Sequence, residues 1–86
     1  MSRPVADVKA LGAAIRMHRS TRGWTQAELA ERAGVSRRFV SELEAGERTG
    51  AELARVLAVL RALRLAISLV DRGTESFDGA LEDVLG

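Results

Sequence analysis

The stretch TQAELAERAGVSRRFVSELEAG, Thr25 to Gly46, holds two short helical patterns divided by a glycine turn. Thr25 and Glu28 have the Thr-x-x-Glu spacing of a capping box, in which hydroxyl and carboxylate satisfy two backbone N–H groups reciprocally. Leu29, Ala30 and Ala33 then give one buried face, with Ala30 small where two helices cross closely. Gly34 supplies the positive φ that a tight turn needs. Ser36 caps the next helix, whose inward positions are Val40 and Leu43, with Phe39 a further candidate. Gly46 stops it. Two short helices at a fixed angle make a poor core, but they present one helix well to something outside.

That outward face carries Ser36, Arg37, Arg38, Ser41 and Glu42. In a helix-turn-helix the N-terminal residues of the second helix meet base edges in the major groove. Arginine suits bidentate contact with guanine O6 and N7, or with a phosphate. Arg37 and Arg38 near a helix N-terminus oppose the macrodipole, so a merely solvated helix start explains them poorly. Ser36 is ambiguous, since a cap needs no ligand. Gln26, beside Thr25 at the start of the preceding helix, is placed for its amide and the backbone N–H groups to clamp a phosphate. Arg48, in the following loop, is a further candidate for phosphate contact.

Outside the quoted stretch, Val8, Leu11 and Ile15 recur at helical spacing and predict a first helix from about Val5 to Thr21, ended by Gly23. Thr49 and Glu52 repeat the capping-box spacing before a fourth helix lined by Leu53, Val56, Leu57, Leu60 and Leu63. Trp24 is expected in the core where the first two helices meet. Residues 66–70, Ala-Ile-Ser-Leu-Val, are short, partly β-branched and bounded by Asp71-Arg72-Gly73, which favours a strand; continuation of the fourth helix competes. A lone strand cannot be stable, so its partner would come from a second copy, through Ile67, Ser68, Leu69 and Val70. The expected fold class is all-α: a compact four-helix domain over 1–65 and a short C-terminal β-strand over 66–71 pairing across a homodimer. An acidic tail over 72–86 follows. Within it, Phe77, Leu81, Val84 and Leu85 are spaced for a short amphipathic helix against a partner; a disordered acidic end is the alternative.

The 86 residues make one small domain, and the absence of Cys removes disulfides and thiolate metal sites. A lone His18, read as a surface residue, excludes a multi-histidine metal site. The net charge of +1 hides an asymmetry. Seven bases against two acids give +5 over Lys9–Arg38, whereas one base against five acids gives −4 over Asp71–Gly86. A basic body suits a polyanion, and the acidic tail a different partner. Arg55, Arg61 and Arg64 interrupt the apolar run from Leu53 to Val70, so no membrane span is expected, and no signal peptide is visible. These features predict a soluble, cytoplasmic chain.

Catalysis finds no support. Glu42, Glu44 and Glu47 fall on different helix faces, Ser41 has no base at a plausible spacing, and no glycine-rich phosphate loop is present. No cofactor or metal is expected.

Residues from about Leu11 to Leu63 resemble the Xre-type helix-turn-helix family of repressors related to the phage repressors. The matching residues are Arg19, Gly23, Thr25-Gln26, Leu29-Ala30, Gly34-Val35-Ser36, Val40-Ser41, Leu43-Glu44 and Gly46. Thr49-Gly50 stands where many members have proline, and Trp24 where Leu or Met is commoner. The resemblance implies a structural ion pair between Arg19 and Glu44 that fixes the angle of the third helix. It also implies binding to a double-stranded DNA operator with an inverted repeat. The run from Leu57 to Leu65, leading into Ile67-Ser68-Leu69, is similar to HipB-like antitoxins, which repress their own operon, pair by a terminal strand and bind a HipA-like kinase toxin. A stand-alone Xre-type regulator, or an interaction module acting through its tail, are the alternatives.

Overall fold

The computed structural model describes residues 4–71. Among these residues four helices follow one another: α1 Val8–Thr21, α2 Gln26–Ala33, α3 Arg37–Glu44 and α4 Leu53–Ala62. Among the described residues there is no strand. Helix α1 begins later than its apolar spacing predicts. The Asp7 carboxylate accepts from Ala10 N at 2.7 Å and caps the helix there, leaving Val5 exposed.

The turns obey local chemistry. Gly23, Gly34 and Gly46 all have φ between 71° and 74°, the left-handed region that closes a helix C-terminus. Thr25 and Glu28 form the full capping box: the Thr25 hydroxyl accepts from Glu28 N at 3.0 Å, and Thr25 N donates to Glu28 Oε1 at 2.7 Å. Ser36 Oγ accepts from Phe39 N at 3.0 Å and starts α3.

At α4 the expected Thr49–Glu52 box does not form. Glu52 is itself the N-cap, with no side-chain cap hydrogen bond. Ala51 packs against the core, so the chain turns helical only after it. Glu52 instead pairs with Arg55, 3.2 Å away. Leu53, expected on the inner face, is 62% exposed, and Val59 takes its place inside.

One core joins the four described helices: Ile15 from α1, Leu29 and Ala30 from α2, Phe39, Val40 and Leu43 from α3, and Val56, Val59 and Leu60 from α4 with its C-cap Leu63. Trp24 and Val35 are half-buried against it. Burying side chains of this size stabilises by roughly 1.5–3 kcal/mol each before entropy is counted. The small ends matter too. Gly12 brings α1 directly onto α3, where a Cβ would collide with the Leu43 and Glu44 carbonyl groups.

Helix α4 ends at Ala62 and does not continue into residues 66–70. Arg64 adopts φ 60°, and Leu65 N donates back to Leu60 O at 2.8 Å, which closes the C-terminus without a glycine. Arg22 Nη2 donates to Leu63 O and ties this end to the end of α1. Residues 66–70 then run on exposed, with Ile67 52%, Leu69 95% and Val70 59% accessible. Phe77, Leu81, Val84 and Leu85 lie outside the described residues.

Candidate nucleic-acid interface

The angle at which α3 is presented depends on a buried polar cluster behind it. Arg19, near the end of α1, donates through Nε to Glu44 Oε2 at 2.7 Å and through Nη2 to Glu44 Oε1 at 3.0 Å. Its Nη1 donates to Trp24 O at 2.7 Å. The two side chains are 13% and 3% exposed, so this pair is screened from solvent. The hydrogen bond to Glu44 raises the Arg19 pKa above its ordinary value, outweighing the opposing effect of burial. A bidentate fork of this kind fixes orientation as well as distance. It ties α1, the loop before α2 and the end of α3 to one another.

Gln26 joins that cluster. Its Nε2 donates to Glu44 Oε1 at 3.1 Å, so the amide turns inward along the groove between α1 and α3. Arg16, Gln26 and Ser41 border this groove. At the start of α2, Gln26 thus has its backbone N–H, rather than its amide, directed out of the helix end. The Thr25 hydroxyl is occupied by the capping box, as the Ser36 hydroxyl is at α3.

The outer side of α3 carries the charge. Arg37 and Arg38 are exposed. Arg38 Nε donates to Glu42 Oε2 at 3.0 Å, one helical turn on. Arg48, from the loop after α3, brings its Nε within 2.9 Å of Glu42 Oε1. Its guanidinium also stands 5.1 Å from the centre of the Phe39 ring, a cation–π distance. The spacing of residues 37–42 places Arg37, Arg38 and Glu42 outward, whereas the link from Arg48 to Glu42 depends on how the loop folds back. Arg37 has no acidic partner among the described residues.

Two features of this region escape a pattern reading. The stack of Arg32 on Trp24, 4.1 Å from ring centre to guanidinium, leaves the indole half-buried beneath a cation rather than sealed in the core. The Gly12 contact sets the depth to which α3 sinks against α1, and nothing but its place on the apolar face of α1 hints at it. Among the described residues no group of His, Asp and Glu could hold a metal ion, and no helix is long and apolar enough to cross a membrane.

Residues 10–72 match the model of a family described as a helix-turn-helix domain. The uncharacterized HTH-type transcriptional regulator y4mF of Sinorhizobium fredii is 37% identical over 73 residues, covering 85% of this chain and 95% of that protein. Among solved structures, the HipB–O4 20mer complex is similar with a TM-score of 0.75 at 27% identity, covering 83% of this chain and 99% of that one. The HipA–HipB–O2–O3 complex gives the same TM-score, identity and coverage. The SinR–SinI protein complex is similar at a TM-score of 0.62 and 28% identity, covering 87% and 74% of the two chains.

Proposed function

Given that the chain belongs to the helix-turn-helix domain family and is a DNA-binding transcriptional regulator, we propose that it is a sequence-specific repressor, the autoregulating antitoxin of a HipBA-like pair. The observation that carries this reading is the outer side of α3, where exposed Arg37 and Arg38 stand on a helix held from behind by Arg19 and Glu44. Ser36, Arg37, Arg38, Ser41 and Glu42 enter the major groove. Thr25 and Gln26, with the free backbone N–H groups of the α2 start, approach a phosphate, and Arg48 flanks the same groove.

The repressor acts as a homodimer in the cytoplasm. Ile67, Ser68, Leu69 and Val70 find no covering element among the described residues, and an antiparallel pair of these segments about a two-fold axis would bury them and satisfy their edges. Two α3 helices then meet an inverted repeat, about 34 Å apart. Residues 72–86, acidic and outside the described region, are the segment assigned to a HipA-like kinase toxin.

Co-expression with the product of the adjacent gene tests the reading. A stable complex with a kinase-like protein, together with salt-sensitive binding to the DNA upstream of the operon, is expected. Binding to that DNA with no such complex leaves a stand-alone regulator, the reading that similarity to the y4mF regulator favours.

A further inference from the structure

Glu42 is an odd residue to find on a helix that faces a polyanion. Its carboxylate repels phosphate, and its side chain is still 28% exposed on the outer side of α3. Its two oxygens are divided between two cations. Oε2 accepts from Arg38 Nε at 3.0 Å, and Oε1 lies 2.9 Å from Arg48 Nε. Arg38 is otherwise almost fully open to solvent, at 82%, and would swing freely through many rotamers without this anchor. Arg48 is further steered by the Phe39 ring beneath it. One carboxylate therefore holds two arginines, one on the helix and one on the loop after it.

We infer that Glu42 is a positioning residue that sets the ratio of specific to non-specific DNA binding, by holding Arg38 and Arg48 away from indiscriminate phosphate contact. This rests on the DNA-binding reading above and deepens it. Binding without sequence preference comes from cations that neutralise phosphates and release counterions. An arginine already paired with a carboxylate must give up that partner before it can neutralise a phosphate. On arbitrary DNA, Arg38 and Arg48 thus contribute little. On a preferred site, where base edges and phosphates converge in register with α3, the exchange is repaid by several contacts at once. Arg37, with no acidic partner among the described residues, makes its contacts in both settings. The bracket lowers the background rather than raising the peak.

The test compares the full chain with Glu42→Gln, which keeps the shape and removes the charge, and with Glu31→Gln, which makes the same change of net charge at an exposed carboxylate of α2. Two probes are used: a poly(dI–dC) duplex, and a duplex that the wild-type chain enriches from a randomised library. Glu42→Gln should bind poly(dI–dC) about tenfold more tightly, with the slope of log affinity against log salt steeper by about 1 to 2. Its preferred duplex should gain less, so the specificity ratio falls, while Glu31→Gln moves the slope by a fraction of that. Equal steepening in both variants would reduce the effect to net charge and overturn the inference. An unchanged slope with preference lost at one base pair would make Glu42 a direct reader of bases, and would overturn it as well. Wild-type chain that retains neither duplex would instead overturn the DNA-binding reading, and this inference with it.

Discussion

Arg19 holds Glu44 through two parallel hydrogen bonds, 2.7 and 3.0 Å long, across the boundary between α1 and α3. Neither residue reaches the outer side of α3, yet the direction in which α3 points depends on them. Replacing Arg19 with Leu leaves the Glu44 carboxylate buried with only the Gln26 amide beside it. Loss of one partner of a buried pair costs about 3–5 kcal/mol. In a domain of this size each kcal/mol is worth about 4–8 °C in Tm. Arg19→Leu should therefore lower Tm far more than an exposed substitution such as Arg55→Leu, as thermal circular dichroism would show. Equal effects would mean that the pair does not organise the fold.

Gly12 sets a second constraint on the same boundary. A methyl group there would meet the Glu44 carbonyl oxygen at 2.7 Å and collide with that of Leu43. These are backbone atoms, which cannot turn aside as a flexible side chain could. Gly12→Ala should destabilise by about 1–3 kcal/mol in spite of alanine's better helix propensity. Urea titration gives the sign at once, and a more stable Gly12→Ala protein would contradict the close approach.

The capping box makes α2 sensitive to acid. Hydrogen bonds from the Thr25 backbone and hydroxyl lower the Glu28 pKa, with Arg32 adding a little. A carboxylate whose folded pKa lies below its unfolded one stabilises fully above about 4.3. That stabilisation is lost as pH falls through the lower, folded value. Glu28→Gln should accordingly approach the wild-type Tm as pH drops from about 6 to 3, since the wild type loses what the variant never had. A difference in Tm that stays constant over this range would show that the carboxylate charge is irrelevant to the cap.

These caps show which parts of the fold were legible in the sequence. A capping box, a Ser N-cap and glycines at helix ends are local chemistry, decided within four residues, and Thr25, Gly34, Ser36 and Gly46 all do in the structure what their spacing predicts. The start of α4 departs from what spacing predicts: Thr49 and Glu52 have the interval of a capping box, while the packing of Ala51 decides where the helix begins. The Gly12 approach, the Arg22 tether to Leu63 and the Arg48 arm of the Glu42 bracket join residues far apart in the chain. No periodicity encodes them. On the candidate interface, helical spacing placed Arg37 and Arg38 outward, whereas the inward turn of the Gln26 amide follows from the position of Glu44, which spacing alone does not give.

Arg37 is the side chain to probe on the interface itself. It is exposed, in the first turn of α3, and unpaired among the described residues. If it reads a base, Arg37→Ala should cost about 1–3 kcal/mol of specific binding and relax preference at one position per half-site. If it touches only phosphate, affinity should fall evenly across sequences and the salt slope should shrink by about 1. Anisotropy titrations at several salt concentrations separate the two. Unchanged affinity and unchanged slope would remove Arg37 from the interface.

The most direct measurement is selection by the wild-type chain from a pool of randomised duplexes, followed by sequencing of what it retains. In the proposed two-fold dimer, two α3 helices would require two half-sites one helical turn apart, about 10 base pairs from centre to centre. Enrichment of an inverted repeat with that spacing, lost as salt is raised, is the predicted result. A retained pool with no motif beyond the input, or with a single half-site bound by one copy of the chain, would contradict it.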